Sequence, residues 1–428
     1  MESSTPPALS LLDGKRIAVV GAGIAGLSFV VSLRRSWTKD LGVFPEVVHY
    51  EREENMPDES HERYSVRIRG AGSSAGAHAL RKMKILETTI NSGITRPGFA
   101  RGHTHGYITV KSLDWLRLVS LRDGTRGSPL DADFRIGRLR LRQILHKVAS
   151  EYGKVNWGSV CSGVTSQQDG RLCLSFDDGK KDVCDFLVVA DGANSKIRKY
   201  LRPQDNLSFA GPINISVVSR FAESAPPLLN RDWGIVASGN GTALFTCPVD
   251  KTTVHWSLSY MANEPGDLPR RPISPELSAQ ILREAQDMGT AFGDPFRVLV
   301  DNSDPTTVRV FNSNDKEPFA HGPANNLPRG VIFIGDSNHA VTPFAGSGAN
   351  MALLDGHDLA ECLCMHRSID EATKAYDQRS LPRARRLLKN SHYTIAVAHA
   401  AGWRWLLISL VLQLFGMLKL LWAQLESS

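Results

Sequence analysis

The chain has 428 residues, enough for two or three structural units around more than one core. Hydrophobic content of 42% and charged content of 22% are ordinary for a globular protein; the net charge of +6 suits an anionic cofactor but forms no long basic block of the kind nucleic acid requires. The six cysteines are scattered, with neither redox nor zinc spacing, and read as free thiols of a reducing compartment.

Met1 to Leu12 is polar and proline-bearing, with no basic start followed by an apolar stretch. No signal peptide is read there, and a cytoplasmic location is expected. Residues 15–20 (KRIAVV) form an apolar run ending in glycines, the pattern of a buried parallel strand. Residues 24–36 carry helix periodicity and Glu46 to Tyr50 the next strand, which completes a βαβ unit. Helices are predicted over 75–87 and 138–151, and strands over 171–176 and 183–190, leading to Ala190-Asp191-Gly192. From Phe209 to Tyr260 short alternating segments are separated by turn signals such as Ser238-Gly239-Asn240-Gly241, which predicts an antiparallel sheet. A proline-rich link (265–275), a helix (276–288), a buried strand (331–334) and a helix beginning near Gly348 follow. Trp403 to Trp422 is apolar apart from Arg404, Ser409, Gln413 and Lys419. It has the length of a membrane span, but equally suits a helix lying on a membrane surface or on the protein's own core. The basic run Arg379 to Lys389 upstream would favour anionic lipid, and also reads as a solvated helix face.

Two constellations carry chemistry. Gly21-Ala22-Gly23-Ile24-Ala25-Gly26 follows the first strand and opens a helix. The first glycine permits the tight turn, the second lets a pyrophosphate approach the backbone, and the third allows close helix–strand packing. Glu51, with Arg52 beside it, ends the second strand, where a carboxylate can accept both ribose hydroxyls. The second constellation is Gly335-Asp336 after a buried strand, then Pro343-Phe344-Ala345-Gly346-Ser347-Gly348-Ala349-Asn350. Small residues at that density allow a flat ring to lie against the backbone. Asp336 is placed for a sugar-alcohol hydroxyl, and the helix from Gly348 would aim its positive end at the pyrimidine edge of a flavin.

On these residues the sequence resembles the class A FAD-dependent monooxygenases, the para-hydroxybenzoate hydroxylase-like superfamily. The resemblance rests on GAGIAG with Glu51, on ADGANSKIR (190–198, with Asp191 as a cofactor contact), and on GDSNHAVTPFAGSGAN (335–350). A weaker match, Arg138 to Leu145, corresponds to the family's helix with an arginine near the flavin and leucines at +3 and +7. Together the matches span about residues 15 to 385, and PFAGSGANMALLDG looks most like the branch holding tetracycline-inactivating oxygenases and natural-product tailoring enzymes. Arg63 to Gly70 (RYSVRIRG) departs from the family by being unusually basic; its arginines could line the adenosine side or a substrate entrance, or be surface residues.

The resemblance implies an α/β fold: a Rossmann-like FAD-binding domain (1–205 and 321–385), an inserted antiparallel β-sheet substrate domain (206–320), and C-terminal helices (386–428). It implies NADPH or NADH as a transient reductant and O2 adding to the flavin as a C4a-hydroperoxide. The product would be a hydroxylated or epoxidised aromatic, indole or terpenoid-type molecule of specialised metabolism. A monomer is expected, without metal. Arg220, after an alternating strand, is the candidate catalytic or substrate-orienting group, or else an edge-strand arginine. Trp256 and Tyr260 could face substrate or pack in the core. His339 could relay protons or order the flavin loop by a hydrogen bond. Two other readings are a flavin-dependent halogenase, whose Trp-x-Trp-x-Ile-Pro motif is not matched by Trp403-Arg404-Trp405, and a non-catalytic FAD-binding regulator.

Overall fold

The computed structural model describes residues 10–58, 63–72, 75–94, 106–110, 117–121, 133–227, 229, 233–322, 325 and 327–411. Its frame is a five-stranded parallel sheet in the order Val331–Phe333, Phe186–Val189, Arg16–Val20, Glu46–Tyr50, Val155–Asn156. Ile17, Ala18 and Val19 have no exposed surface, as a strand covered on both faces requires. On one face pack the helices Ile24–Ser36, Arg138–Ala149 and Gly348–Met365, sharing a core with Leu27, Val31, Leu141 and Leu359. On the other lies a three-stranded antiparallel sheet, Cys161–Ser166, Leu172–Phe176 and Lys181–Cys184. The run expected as one strand over 183–190 divides at Asp185, whose N–H bonds Arg16 and which passes the chain from one sheet to the other. The helix expected over 75–87 likewise divides into Gly76–Lys82 and Leu86–Asn91. Lys84, in the left-handed region at φ 61°, ends the first piece.

The second sheet has seven strands: Arg309–Asp315, Ser208–Arg220, Thr253–Met261, Thr242–Pro248, Trp233–Ala237, Gly106–Val110 and Arg117–Leu121. The last two extend it beyond the alternating region read from sequence, with Gly106–Val110 parallel to Trp233–Ala237. One face of this sheet is apolar. Ile215, Val217, Leu244, Trp256 and Leu258 pack there against Pro275–Met288 and Asp294–Asp301. Pro275–Met288 starts where local chemistry dictates. Ser274 caps it by accepting from Leu277 N–H, and Pro275 occupies the first turn.

The chain ends its described course with the helix Ile369–Ala398 and a shorter one over residues 402–411. Of the apolar stretch 403–422, residues 412–422 lie outside the described residues. Within the described part, Trp403 and Leu406 are mostly exposed, whereas Trp405 lies against Gly239. No helix among the described residues is long and apolar enough to cross a membrane.

Candidate active site

Four neighbouring strands of the parallel sheet end level with one another. Gly21 N–H donates to Tyr50, Ala190 N–H to Val20, and Ile334 N–H to Val189. Those registers bring Gly21, Glu51, Asp191 and Asp336, dispersed in sequence, to the carboxyl edge of one sheet. Ligands of open parallel sheets bind at that edge.

The glycines of the first turn divide by what surrounds them. At Gly21 (φ 107°) a Cβ would lie 2.3 Å from the Ala190 carbonyl oxygen, and at Gly26 it would lie 2.1 Å from that of Gly21. These two are required by backbone packing. At Gly23 a Cβ would meet nothing within 4 Å. That glycine faces open space at the start of Ile24–Ser36, a helix with no acidic residue in its first turn and no side-chain cap. Its leading N–H groups are therefore available to an anion. Beneath the turn, buried His49 lies 3.2 Å from the Gly21 oxygen; desolvation pushes its pKa down to about 4, so it stands neutral there.

Glu51 is buried, with Oε2 accepting from Ala22 N–H at 2.7 Å and Oε1 from Glu53 N–H at 3.1 Å. Each carboxylate oxygen keeps further acceptor capacity. Arg142 completes this corner. It is almost fully buried, donates through Nε to the Ala22 carbonyl at 2.7 Å, and pairs with Glu51 (3.4 Å) and with Glu53. Sequence reasoning named Arg138 on this helix and passed over Arg142. The available signal was helical spacing, since Arg142 falls one turn after Arg138 on a helix whose flanking Leu139, Leu141 and Leu145 are buried. Arg52, by contrast, is exposed.

Asp191 and Asp336 are the acidic pair of the other two strand ends. Asp191 Oδ2 accepts from Lys196 N–H at 3.1 Å, while Oδ1 is sealed from solvent without a partner. Burial pushes its pKa up. Asp336 keeps exposed surface, yet the groups packed around it desolvate its carboxylate and raise its pKa too. Arg198, from the Asp191 segment, donates to the Ser337 carbonyl at 2.8 Å and fixes the two segments together. His339 Nε2 lies 2.5 Å from Asp355, which also accepts from Gly335 N–H (2.9 Å), Ser380 and Arg383. Burial alone would lower the His339 pKa, but the Asp355 carboxylate outweighs it and holds the pKa up; Asp355 is correspondingly pushed down. Of the two roles considered for His339, this geometry is that of loop ordering.

In the loop that follows, Pro343 is exposed and Gly346 is left-handed (φ 59°). A Cβ at Gly346 or Gly348 would meet nothing within 4 Å. Half-buried Ala349 follows on the first turn of Gly348–Met365, which has no side-chain cap. Asn350, expected as a cofactor contact, does not have its side chain free for one. Its side chain has no exposed surface and is spent on backbone, accepting from Arg69 and Gly76 N–H and donating to the Arg67 carbonyl. It ties the basic Arg63–Gly70 segment to this helix.

The seven-stranded sheet turns its second face away from its apolar core. Directly paired residues share a face, so Phe245, Ser257, Ser216 and Arg309 form one row across four strands, with His255 in the next row. Ser216 Oγ lies 2.8 Å from His255 Nε2, and His255 meets the rings of Phe245 and Tyr64. Tyr64 lies under the Arg138 guanidinium, whose field reaches Asp336, so this face adjoins the strand-end loops. Trp256 belongs to the opposite face, fully buried and edge-on to Phe296. Tyr260 has the same parity as Trp256, near Glu284. Arg220 is not gathered with these groups. It sits at the exposed end of its strand, its Nε donating to Asp304 at 3.1 Å.

An extended dinucleotide bearing a flat ring fits these residues. Open space at Gly23, Gly346 and Gly348, two uncapped helix starts and the unpartnered Asp191 oxygen lie along one sheet edge. Comparison with known proteins agrees. The FAD binding domain family matches residues 135–391. The chain is 37% identical to monooxygenase cfoF of Aspergillus candidus, covering 91% of this chain and 92% of that one. It is 26% identical to FAD-dependent monooxygenase nscC of Trichophyton tonsurans, covering 92% and 97%. The fold matches that of Klebsiella pneumoniae HpxO, solved with FAD and uric acid, with a TM-score of 0.72 at 20% identity, covering 94% and 93%. The chain belongs to this FAD-binding family and is a class A FAD-dependent monooxygenase, an oxidoreductase.

Proposed function

We propose that the enzyme draws electrons from NADPH or NADH and inserts one atom of O2 into a small aromatic, indole or terpenoid-type molecule, in the biosynthesis of a specialised metabolite. The flavin, when bound, supplies the oxygen-transfer chemistry. The protein's own residues supply position and electrostatics. The turn at Gly21–Gly26 and the helix start behind it would hold the pyrophosphate, with Ala25 in the first helical turn. Glu51 would hold the ribose and Asp336 the sugar-alcohol chain, with Asp191 beside it. Pro343 to Ala349 would support the ring, and the Gly348–Met365 helix start would place positive potential at its edge.

The carrying observation is a juxtaposition. A sheet face bearing His255, Ser216, Ser257 and Phe245 adjoins, through Tyr64 and Arg138, the loop of Asp336. An electron-rich substrate carbon held on that face would lie beside the ring. The test is NADPH consumption by the flavin-loaded enzyme against a panel of phenols, indoles and prenylated compounds. Members of the panel should stimulate oxidation and gain one oxygen. Bound flavin with no stimulated oxidation would instead favour a flavoprotein that senses or regulates.

A further inference from the structure

Arg309 is anomalous among the arginines of the described residues. Its Nε is sealed from solvent without an acceptor, and no described carboxylate pairs with its guanidinium. Arg16 and Arg383 also leave Nε unbonded, but their terminal nitrogens are paired with Asp182 and Asp355. The other buried arginines have partners too: Arg142 has Glu51, and Arg198 the Ser337 carbonyl.

The charges that reach Arg309 make the anomaly sharper. Arg63, Arg271 and Arg138 all bear on it with like charge. Burial first, and these arginines after it, push its pKa down to about 10. A half-buried cation among cations is costly unless something negative joins it. In the same row, two strands away with Ser216 between them, Ser257 Oγ is also buried without a partner. Two unsatisfied polar groups thus occupy the face that adjoins the Asp336 loop. Buried polar groups in native proteins are otherwise nearly always bonded.

We infer that this end of the cleft, centred on Arg309, binds an oxyanion carried by the organic substrate, a carboxylate or an enolate. The inference rests on the monooxygenase reading and gives its substrate a charge. An anion held by Arg309 would satisfy the guanidinium, and its fixed geometry favours bidentate contact with two oxygens. Ser257 and the Ser216–His255 pair would then meet the neighbouring part of the molecule. The anchored group would fix which end of the substrate lies at the flavin.

Matched probes test this on the flavin-loaded enzyme: benzoate against benzamide, salicylate against salicylamide, and indole-3-carboxylate against its carboxamide. Binding is read from the perturbed flavin absorption spectrum, and turnover from NADPH oxidation. Each carboxylate should bind at least about tenfold more tightly than its amide, and added salt should erode the preference. Arg309→Gln should erase the preference and Arg309→Lys restore part of it. Equal affinities within the pairs, or no carboxylate binding at millimolar concentration, would overturn the inference without any variant being made. So would a preference that survives in Arg309→Gln. A rise in the NADPH KM of Arg309→Gln, with the probe preference intact, would assign the arginines to the nicotinamide's phosphates and overturn it too. Amides that stimulate NADPH oxidation while carboxylates do not would sink the anion site and leave the monooxygenase standing. A purified protein that retains no flavin would remove both.

Discussion

Alanine at Gly23 and at Gly26 should separate two requirements that one motif combines. Gly23 has φ −80° and ψ −174°, which alanine adopts freely, and its Cβ would meet nothing within 4 Å. The apo protein should therefore unfold within about 0.5 kcal/mol of wild type. The added methyl would instead stand where the pyrophosphate is proposed to approach the helix start. Loss of one charge-assisted hydrogen bond there costs about 1.5–3 kcal/mol, or roughly 10- to 150-fold in FAD affinity. At Gly26 a Cβ would fall 2.1 Å from the Gly21 oxygen, 3.1 Å from His49 Nε2 and 3.3 Å from Ala190 Cβ. Backbone must move, and overpacking of this kind costs about 1–3 kcal/mol whether or not cofactor is present. Thermal or urea unfolding of the apo proteins and titration with FAD, followed by quenching of its fluorescence, give the two readouts. Gly23→Ala with wild-type FAD affinity would refute the placement of the pyrophosphate. Gly26→Ala as stable as wild type would refute the packing argument.

Arg142→Met keeps the volume but strips Glu51 of its buried cation. Stability should fall by roughly 3 kcal/mol, less what water recovers at the partly exposed Glu53, and FAD affinity should fall with it. An unchanged urea midpoint would mean that Arg142 only fills space. The His339–Asp355 pair gives a pH signature. Asp355, with its folded pKa depressed, contributes stability above its unfolded value of about 3.9 that is lost as pH falls. His339, with its folded pKa raised, contributes stability present below about 6.5 that is lost as pH rises through the folded value. In Asp355→Asn the alkaline loss should vanish, because buried His339 no longer has the anion that raised its pKa. Parallel urea midpoints for the two proteins from acid to alkaline pH would contradict this.

The strand-end motifs were legible because strand, turn and helix follow one another along the chain, and Gly21, Glu51 and Asp336 each sit at a junction the local pattern declares. What the pattern could not declare was phase. Alternation over Thr253–Met261 is equally consistent with Trp256 or with Ser257 facing the cleft. The choice is made by helices Pro275–Met288 and Asp294–Asp301, which cover Trp256 and Leu258 and leave His255 and Ser257 to the other side. Arg220 was read from the alternation of its own strand, Ile213 to Ser219, and Asp304, far along the sequence, engages it at the surface. Arg142 and Asn350 were hidden differently. Their roles depend on partners, Glu53 and the 67–76 backbone, that only the folded chain brings near. The charge on Arg309 was plain in the sequence, but its lack of a counter-ion is a property of three dimensions.

The sheet register also governs timing. Arg16–Val20 is flanked by Glu46–Tyr50 on one side and Phe186–Val189 on the other, and the latter is covered in turn by Val331–Phe333. Helix Ile24–Ser36 lies so close to Gly348–Met365 that a Cβ at Gly356 would fall 2.6 Å from Phe29 N. The first turn made during synthesis therefore waits, half-covered, until the residues around 331–356 leave the ribosome. Such long-range parallel pairing is slow to form. A chain that ends before residue 331 lacks the strand and the helix that complete this neighbourhood, and with them half of the proposed flavin cradle.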